Sequence, residues 1–214
     1  MLARAVLAAA LLCLSTVASA VPIGSVGDSF TVNFGGNVQR ADVSGLSASA
    51  SFVVTELDAL TGHVVLEITL TNTTDASIWE GSRVSAIGFD VDQTIASASA
   101  SGLFAYAVTG SRFPNGIGPI DVCAIDNANN CSGGANGGVT LGQNGVVTMT
   151  LEFGGPITSL DLAHFVVRYQ SLDSEELGIS GDSGTGDGEV VPEPRLLALL
   201  GLAGLALLGR KRGV

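Results

Sequence analysis

The amino-acid sequence predicts an all-β fold, an antiparallel β-sandwich of about seven to nine strands. The first observation is composition, because the middle of the chain is rich in Gly, Ser, Thr, Val and Ala and poor in aromatic residues, as strands and turns are. The second is periodicity, because apolar and polar residues alternate in several short segments that end in turn residues. The third is that this region has no amphipathic helical pattern. Helices are expected only at the two ends of the chain, as a signal helix and a short apolar helix.

Seven segments carry the strand pattern. We predict strands at residues 29–34, 47–57, 63–72, 84–91, 103–108, 145–153 and 163–170. The alternation is clearest in residues 63–72, whose inward face is formed by Val64, Leu66, Ile68 and Leu70. Between residues 110 and 145 the alternation stops, so no strand is predicted there.

The chain divides into four parts. Residues 1–20 are a signal peptide, residues 21–180 the β-sandwich body, residues 181–190 a flexible acidic linker, and residues 191–214 a C-terminal tail. A body of about 160 residues is long enough for one domain with a sizeable core. The linker is predicted because residues 181–190 consist almost entirely of Gly, Asp, Ser, Thr and Glu, a composition typical of mobile connecting segments.

The N-terminal segment has the three parts of a secretory signal. A positive residue near its start is followed by ten apolar residues at 5–14, and then by the small residues Ala18 and Ala20 in the pattern that signal peptidase recognises. We therefore expect signal peptidase to cleave between Ala20 and Val21. Ten apolar residues are too few for a membrane span, which needs about 20. Lipid attachment at Cys13 is not expected, because the residue before it is not small.

The C-terminal tail also has three parts: a proline-rich motif, an apolar run at residues 196–208 and a basic cluster. The motif is Val191, Pro192, Glu193 and Pro194, and the basic cluster is Arg210, Lys211 and Arg212. The positive-inside rule keeps that cluster in the cytoplasm. The apolar run makes about 20 Å of helix against a hydrocarbon core of about 30 Å, so it suits a temporary membrane anchor better than a permanent one.

This tail, together with the signal peptide, resembles the PEP-CTERM sorting signal of Gram-negative bacteria that make exopolysaccharide. The resemblance implies that an exosortase, a membrane enzyme similar to a cysteine transpeptidase, acts at Pro192, Glu193 and Pro194. It also implies export across the inner membrane, transient anchoring by the C-terminal helix, and delivery to the cell surface or extracellular matrix. The two prolines disfavour a helix, so the motif stays accessible to an enzyme. The alternative is a plain single-pass anchor.

Cys123 and Cys131 are the only cysteines that remain after signal cleavage. An isolated pair in an oxidising compartment favours a disulfide, which stabilises a fold by roughly 2.5 kcal/mol through loop entropy. A metal site is the alternative, but two cysteines without a nearby histidine supply too few ligands. The residues around this pair and the later sequence FVVRYQS (residues 165–171) resemble the cistern group of PEP-CTERM proteins, which implies no particular activity.

The charge of the body excludes one class of partner. Up to Glu193 it has 20 acidic residues against four arginines and no lysine, a net charge of −16. Such a field repels nucleic acid, so no nucleic-acid partner is expected. It suits solubility and weak Ca²⁺ binding, and hard oxygen ligands gather near the cysteine pair at Asp121, Asp126, Asn127, Asn129 and Asn130. Their spacing is not that of an EF-hand loop and such residues also fill turns, so we predict no metal or other cofactor, with Ca²⁺ as the open alternative.

No set of residues in the sequence amounts to an active site. Gly-Asp-Ser-Gly at residues 181–184 matches the core of a serine-protease motif, but a mobile linker cannot aim Ser183 at a base. His164, three residues after Asp161, could form a catalytic pair, although a polar strand-end residue is far commoner. His63 follows a turn and is expected to be solvated. Neighbouring carboxylates that a glycosidase could use are Asp90 and Asp92, Glu175 and Glu176, and Asp182, Asp187 and Glu189.

We therefore expect a non-enzymatic protein of the cell surface or matrix, whose partners are signal peptidase, an exosortase, the membrane (transiently) and exopolysaccharide. One alternative is a Ca²⁺-assisted carbohydrate-binding adhesin, which would need a row of aromatic side chains or a Ca²⁺ cage. A further alternative is an envelope hydrolase, which would need a cleft that joins His164 to two carboxylates.

Overall fold

The structure is a computed structural model that describes residues 20–127, 130–132 and 136–192. Within these ranges the chain consists of strands and turns without a helix, which confirms the all-β prediction. The predicted signal helix, Glu193, Pro194, the apolar run and the basic cluster lie outside the described residues. In the part that is described, no helix is long and apolar enough to cross a membrane.

Fourteen strands lie in the described part of the chain, and every predicted segment overlaps one of them. They are β1 (Val21–Ile23), β2 (Ser29–Phe34), β3 (Asn37–Val38), β4 (Ala41–Asp42), β5 (Ala48–Asp58), β6 (His63–Asn72), β7 (Gly81–Val91), β8 (Ser97–Gly102), β9 (Tyr106–Phe113), β10 (Gly118–Ile125), β11 (Val139–Thr140), β12 (Asn144–Glu152), β13 (Leu160–Ser174) and β14 (Ile179–Val190). The predictions for β2 and β6 match the structure from end to end.

The strands form one continuous antiparallel sheet, so the two-sheet sandwich is not confirmed. Neighbouring strands follow the order β8-β12-β6-β5-β2-β14-β13-β7-β10-β9, and the four shortest strands attach to its inner members or to each other. The sheet curls until its edge strands β8 and β9 lie side by side, and it is therefore nearly closed. Register shifts in β13 and β5 mark bulges, which increase the twist and bend a sheet.

The main core lies inside the curled sheet. The predicted inward face of β6 is confirmed, because Val64, Leu66, Ile68 and Leu70 are all fully buried. Four phenylalanine rings meet at the centre, contributed by Phe30, Phe52, Phe89 and Phe165. Phe30 stacks on Phe52 with 4.7 Å between ring centroids, and pairs of this kind add about 0.5–1.5 kcal/mol to the effect of burial.

A second, smaller core lies on the outer face of β7, β10 and β13. Cys123 and Cys131 form the predicted disulfide there, with their Cα atoms 6.2 Å apart, and Phe113 and Val166 pack around it. Strand β10 was missed by the sequence prediction because it is buried on both faces. A strand covered on both sides does not alternate between apolar and polar residues.

The largest difference from the sequence prediction concerns residues 181–190. The predicted linker is wrong, because these residues belong to β14, which pairs with β13 on one side and β2 on the other. Its inward positions are Gly184, Gly186 and Gly188, and a Cβ atom at any of them would collide with neighbouring backbone or with packed side chains. A Cβ at Gly186, for example, would come within 3.1 Å of the Tyr169 ring. The glycines make room for large side chains of the neighbouring strands, so this interior strand shows no apolar alternation.

Candidate functional site

Both ends of the folded body lie at one end of the sheet, which we call the exit end. It is formed by the starts of β2, β6 and β13 and the ends of β5, β7, β12 and β14. Strand β1 begins at Val21, which pairs with Leu162 near the start of β13. Strand β14 ends opposite Val32 of β2, and the amide of Val191 donates a hydrogen bond to the carbonyl of Thr31 at 2.8 Å. The residues that flank both predicted processing sites thus lie at the same end of the sheet.

Three acidic side chains at the exit end hold strand ends together. Asp90 Oδ1 accepts a hydrogen bond from the amide of Asp121 at 3.0 Å, and Asp121 Oδ2 accepts one from the amide of Val91 at 3.0 Å. Asp92 Oδ1 accepts one from the amide of Asp161 at 2.9 Å. The carboxylate pair Asp90 and Asp92 therefore ties β7 to β10 and β13, a structural role of the kind carboxylates have in caps and turns.

His164 is turned outward by a bulge in β13. The pairing of β13 with β7 shifts between Ala163 and Val166, and His164 has a φ of 47°, in the left-handed region. Its Nδ1 lies 2.8 Å from Asp90 Oδ2, so its partner is Asp90 and not Asp161. Because a carboxylate only accepts, Nδ1 donates this bond and Nε2 of the neutral ring is an acceptor. No described residue bonds to that Nε2.

A polar cleft of about 600 Å³ lies beside His164. Four parts of the chain line it: the β3–β4 hairpin, the loop between β9 and β10, the bulge of β13, and Asp187 of β14. Of the five non-glycine residues with positive φ in the described chain, three line this cleft: Arg40 at 70°, Asn115 at 56° and His164 at 47°. Backbone strain of this kind costs of order 1–3 kcal/mol per residue and concentrates at functional sites.

The polar groups of this cleft are largely unpaired. The side chains of Arg40, Asp42 and Asp187 line the same space, yet none forms an ion pair or a hydrogen bond with another described residue. Asn115 Nδ2 is shielded from solvent and has no partner within the described structure. An orphaned donor of this kind costs about 1–3 kcal/mol. The cleft therefore offers both donors and acceptors to a polar ligand.

The second histidine, His63, lies at the exit end but away from the cleft. Its Nδ1 is 2.7 Å from Glu152 Oε1, and its Nε2 is 3.5 Å from Glu56 Oε2. The hydrogen bond with Glu152 raises the pKa of His63, while partial burial opposes that effect. His63 is thus half-buried and paired, whereas the sequence predicted a solvated side chain.

The protease-like sequence at residues 181–184 lies on a strand, but its serine faces an arginine. Ser183 Oγ accepts a hydrogen bond from Arg168 Nη2 at 3.3 Å, which provides no general base for a nucleophile. Arg168 is only 8% exposed, and its Nε and Nη1 have no hydrogen-bond partner in the described part of the chain. Burial lowers the pKa of its guanidinium. A buried cation was not predicted from the sequence, although the position of Arg168 inside the otherwise apolar segment FVVRY indicates one.

Three of the residues considered for Ca²⁺, Asp121, Asp126 and Asn130, accept hydrogen bonds from backbone amides. Asp126 Oδ1 accepts a hydrogen bond from the amide of Ala105 at 2.8 Å, and Asn130 Oδ1 accepts one from the amide of Ser132 at 2.9 Å. Asn129 lies outside the described residues. Across residues 20–127, 130–132 and 136–192, no group of three or more His, Cys, Asp or Glu side chains is placed to hold a metal ion.

Comparison with known proteins assigns no family. No family model matches the chain, and neither a curated protein nor a solved structure shows significant similarity to it.

Proposed function

We propose that this protein is exported, cleaved by signal peptidase after Ala20, and processed by an exosortase at Pro192, Glu193 and Pro194 for delivery to the cell surface or matrix. One structural observation supports the proposal. The folded body fills the interval between the two processing sites, since β1 begins at Val21 and β14 ends at Val190. A body of this kind would survive both cleavages with its sheet intact.

The shared exit end gives the anchored precursor an orientation. While residues 196–208 hold the chain in the membrane, the exit end faces the bilayer and the opposite end points away from it. Carboxylates such as Asp28, Asp58 and Asp92 would then lie close to the membrane surface. Anionic lipids repel such groups, an effect that fades within about 10 Å at physiological salt. This arrangement suits a body that is held briefly and then released.

Intact-mass measurement of the protein from cells with and without an exosortase tests the processing step. With the enzyme, the wild-type protein should begin at Val21 and lack the residues after the Pro-Glu-Pro motif. Glu193→Ala should keep the full tail, while Glu189→Ala, an exposed carboxylate on β14, should be processed like the wild type. A wild-type protein that still ends at Val214 in cells with an exosortase would refute the proposal.

We also propose that the body is a non-enzymatic binding module and that the polar cleft contacts exopolysaccharide. The observation that favours this role is the set of unpaired groups in one space: the Arg40 guanidinium as donor, and the carboxylates of Asp42 and Asp187 as acceptors. Saccharide hydroxyls both donate and accept, so they complement such a mixture. The excess of carboxylates over arginine disfavours anionic glycans and favours neutral ones.

The same cleft keeps the hydrolase alternative open, because it joins His164 to two carboxylates, Asp42 and Asp187. The Ca²⁺-dependent adhesin has less support. No aromatic side chain lines this cleft, and the described residues hold no group of metal ligands.

Binding to the parent organism's purified exopolysaccharide separates these three roles. The body should retain the polymer in a pull-down, with equal yield in Ca²⁺ and in EDTA. Asp187→Asn should weaken retention, whereas Asp182→Asn, on the same strand but outside the cleft, should leave it unchanged. Retention that requires Ca²⁺ would favour the adhesin, and release of new reducing ends would favour the hydrolase. No retention in either buffer would refute the binding role.

A further inference from the structure

The predicted processing motif begins almost inside the folded sheet. The last residue of β14 is Val190, Val191 is still hydrogen-bonded to Thr31, and Pro192 follows directly. The flexible linker that the sequence predicted before the motif is absent, because residues 181–190 are part of the sheet. No flexible segment therefore separates the motif from the folded body.

Enzymes that cut or transfer peptides hold their substrates extended, commonly by adding the substrate backbone to the edge of a sheet. The substrate cleft of such an enzyme must accommodate residues on both sides of the reacting bond. On the body side of Pro192, the backbone of Val190 and Val191 already pairs with β2. The Val191 amide, which is bonded to the carbonyl of Thr31, cannot pair with an enzyme at the same time.

The end of β14 is held more weakly than its middle. Pairing with β13 extends to Asp187, opposite Val166, and beyond that point β14 is bonded only to β2, through residues 188–190. The bulge at His164 turns β13 away, and the start of β13 pairs with β1 instead. Of the side chains in this last segment, Glu189 and Val191 are exposed and only Val190 packs against the core. Segments with few buried contacts and a single ladder open locally at little cost.

We propose that the folded body regulates its own processing: the exosortase acts only when residues 188–191 detach from β2. This inference rests on the proposed processing at Pro192, Glu193 and Pro194. Detachment of these four residues frees about 13 Å of extended chain, at about 3.3 Å per residue. Detachment opens the three-residue ladder between β14 and β2, while the ladder of β14 with β13 and the shared apolar core hold the body together.

Inserting Gly-Ser-Gly-Ser between Val190 and Val191, which keeps the four-residue motif whole, tests the proposal in cells that have an exosortase. Pulse–chase labelling should show processing roughly 5- to 30-fold faster than in the wild type, the range expected for removal of a small opening step. The same insertion after Glu176, in the exposed turn between β13 and β14, is the matched control and should leave the rate unchanged.

The possible results separate this inference from the function it rests on. Equal rates for the wild type and the insertion after Val190, with the tail removed from both, would overturn the inference and leave the processing proposal standing. A tail that persists in every variant would overturn both. Amide hydrogen exchange of the folded precursor gives a further check, because residues 188–191 should exchange faster than residues 182–187. Equal protection across β14 would also overturn the inference.

Discussion

Strands β6 and β14 are both interior strands of one sheet, but they fill the core in opposite ways. The inward positions of β6 are large and apolar, and all four are fully buried. The inward positions of β14 are Gly184, Gly186 and Gly188, and side chains such as Leu172, Tyr169 and Phe165 from the neighbouring strand occupy the space next to them. Side chains alternate between the two faces of the sheet in both strands. Only β6 shows this alternation as a pattern of apolar and polar residues.

A core position can therefore be specified by the absence of a side chain. Dense packing requires that side chains on facing positions together fill the space between them. The strand beside the large side chains of Tyr169 and Phe165 must therefore carry very small residues. A glycine in that place is as constrained as a leucine in β6. Substitutions should therefore destabilise the protein through opposite causes. A smaller side chain leaves a cavity in β6, whereas a larger one causes a steric clash in β14.

The largest expected effect is a cavity in β6. Leu66→Ala should lower the free energy of unfolding by about 2–5 kcal/mol, because it removes a fully buried side chain and the surroundings collapse only partly. Urea denaturation of the body measures it. Glu67→Ala, exposed on the opposite face of β6, is the control and should change stability by less than about 0.5 kcal/mol. A loss below about 1 kcal/mol for Leu66→Ala would mean that β6 does not line the core.

A collision in β14 should have the next largest effect. Gly186→Ala should lower the free energy of unfolding by about 1–3 kcal/mol, because the new methyl group meets the carbonyl of Gly35 and the Tyr169 ring. Glu189→Ala, exposed on the same strand, is the matched control. If residues 181–190 were a mobile linker, Gly186→Ala would instead leave stability unchanged, since the linker does not fold. The denaturation midpoint thus decides between the two descriptions of this segment.

The outer face of β13 gives a third, smaller test. Arg168→Met should raise the free energy of unfolding by about 1 kcal/mol, because it removes a buried cation that has one long hydrogen bond, to Ser183, and keeps the apolar volume. Arg112→Met, an exposed arginine, should be near neutral and serves as the control. Thermal unfolding of the two variants measures the difference. A destabilised Arg168→Met protein would contradict the prediction that the buried guanidinium costs stability.

The smallest expected effect lies at the start of β6. The pKa of His63 is raised in the folded protein by its bond to Glu152, and Glu56 and Asp58 are the other charged groups near it. The protonated ring therefore stabilises the fold below the unfolded pKa of about 6.5. That contribution is lost as the pH rises through the folded pKa. It should stay below about 1 kcal/mol, because the pair lies near the surface.

Unfolding curves at pH 5.5 and pH 8 for the wild type and His63→Gln measure this contribution. The wild type should exceed the variant in free energy of unfolding by more at pH 5.5 than at pH 8. The same difference at both values would exclude a role for protonated His63.

The candidate site was predictable only in pieces. His164, Asp187 and the carboxylate pair at Asp90 and Asp92 are candidates from the sequence, and a cleft that joins His164 to two carboxylates is the feature expected of a hydrolase. Asp161 was the partner considered for His164, although a polar strand-end residue was favoured; the structure pairs His164 with Asp90, which is near only across the β7–β13 ladder. Arg40 and Asn115 carry no local signal for a binding role. They meet His164 because a hairpin and a loop fold over the same face of the sheet.

The all-β class, the seven alternating segments and the cysteine pair follow from the sequence, because period-two burial and short-range pairing are visible in neighbouring residues. Three further features depend on long-range packing: the sheet is single and nearly closed, β10 and β14 are strands, and both ends of the body leave from one end of the sheet. The reason is physical. Burial on both faces of β10, and the glycines of β14 beside Tyr169, are set by residues far away in the chain, and no local pattern records them.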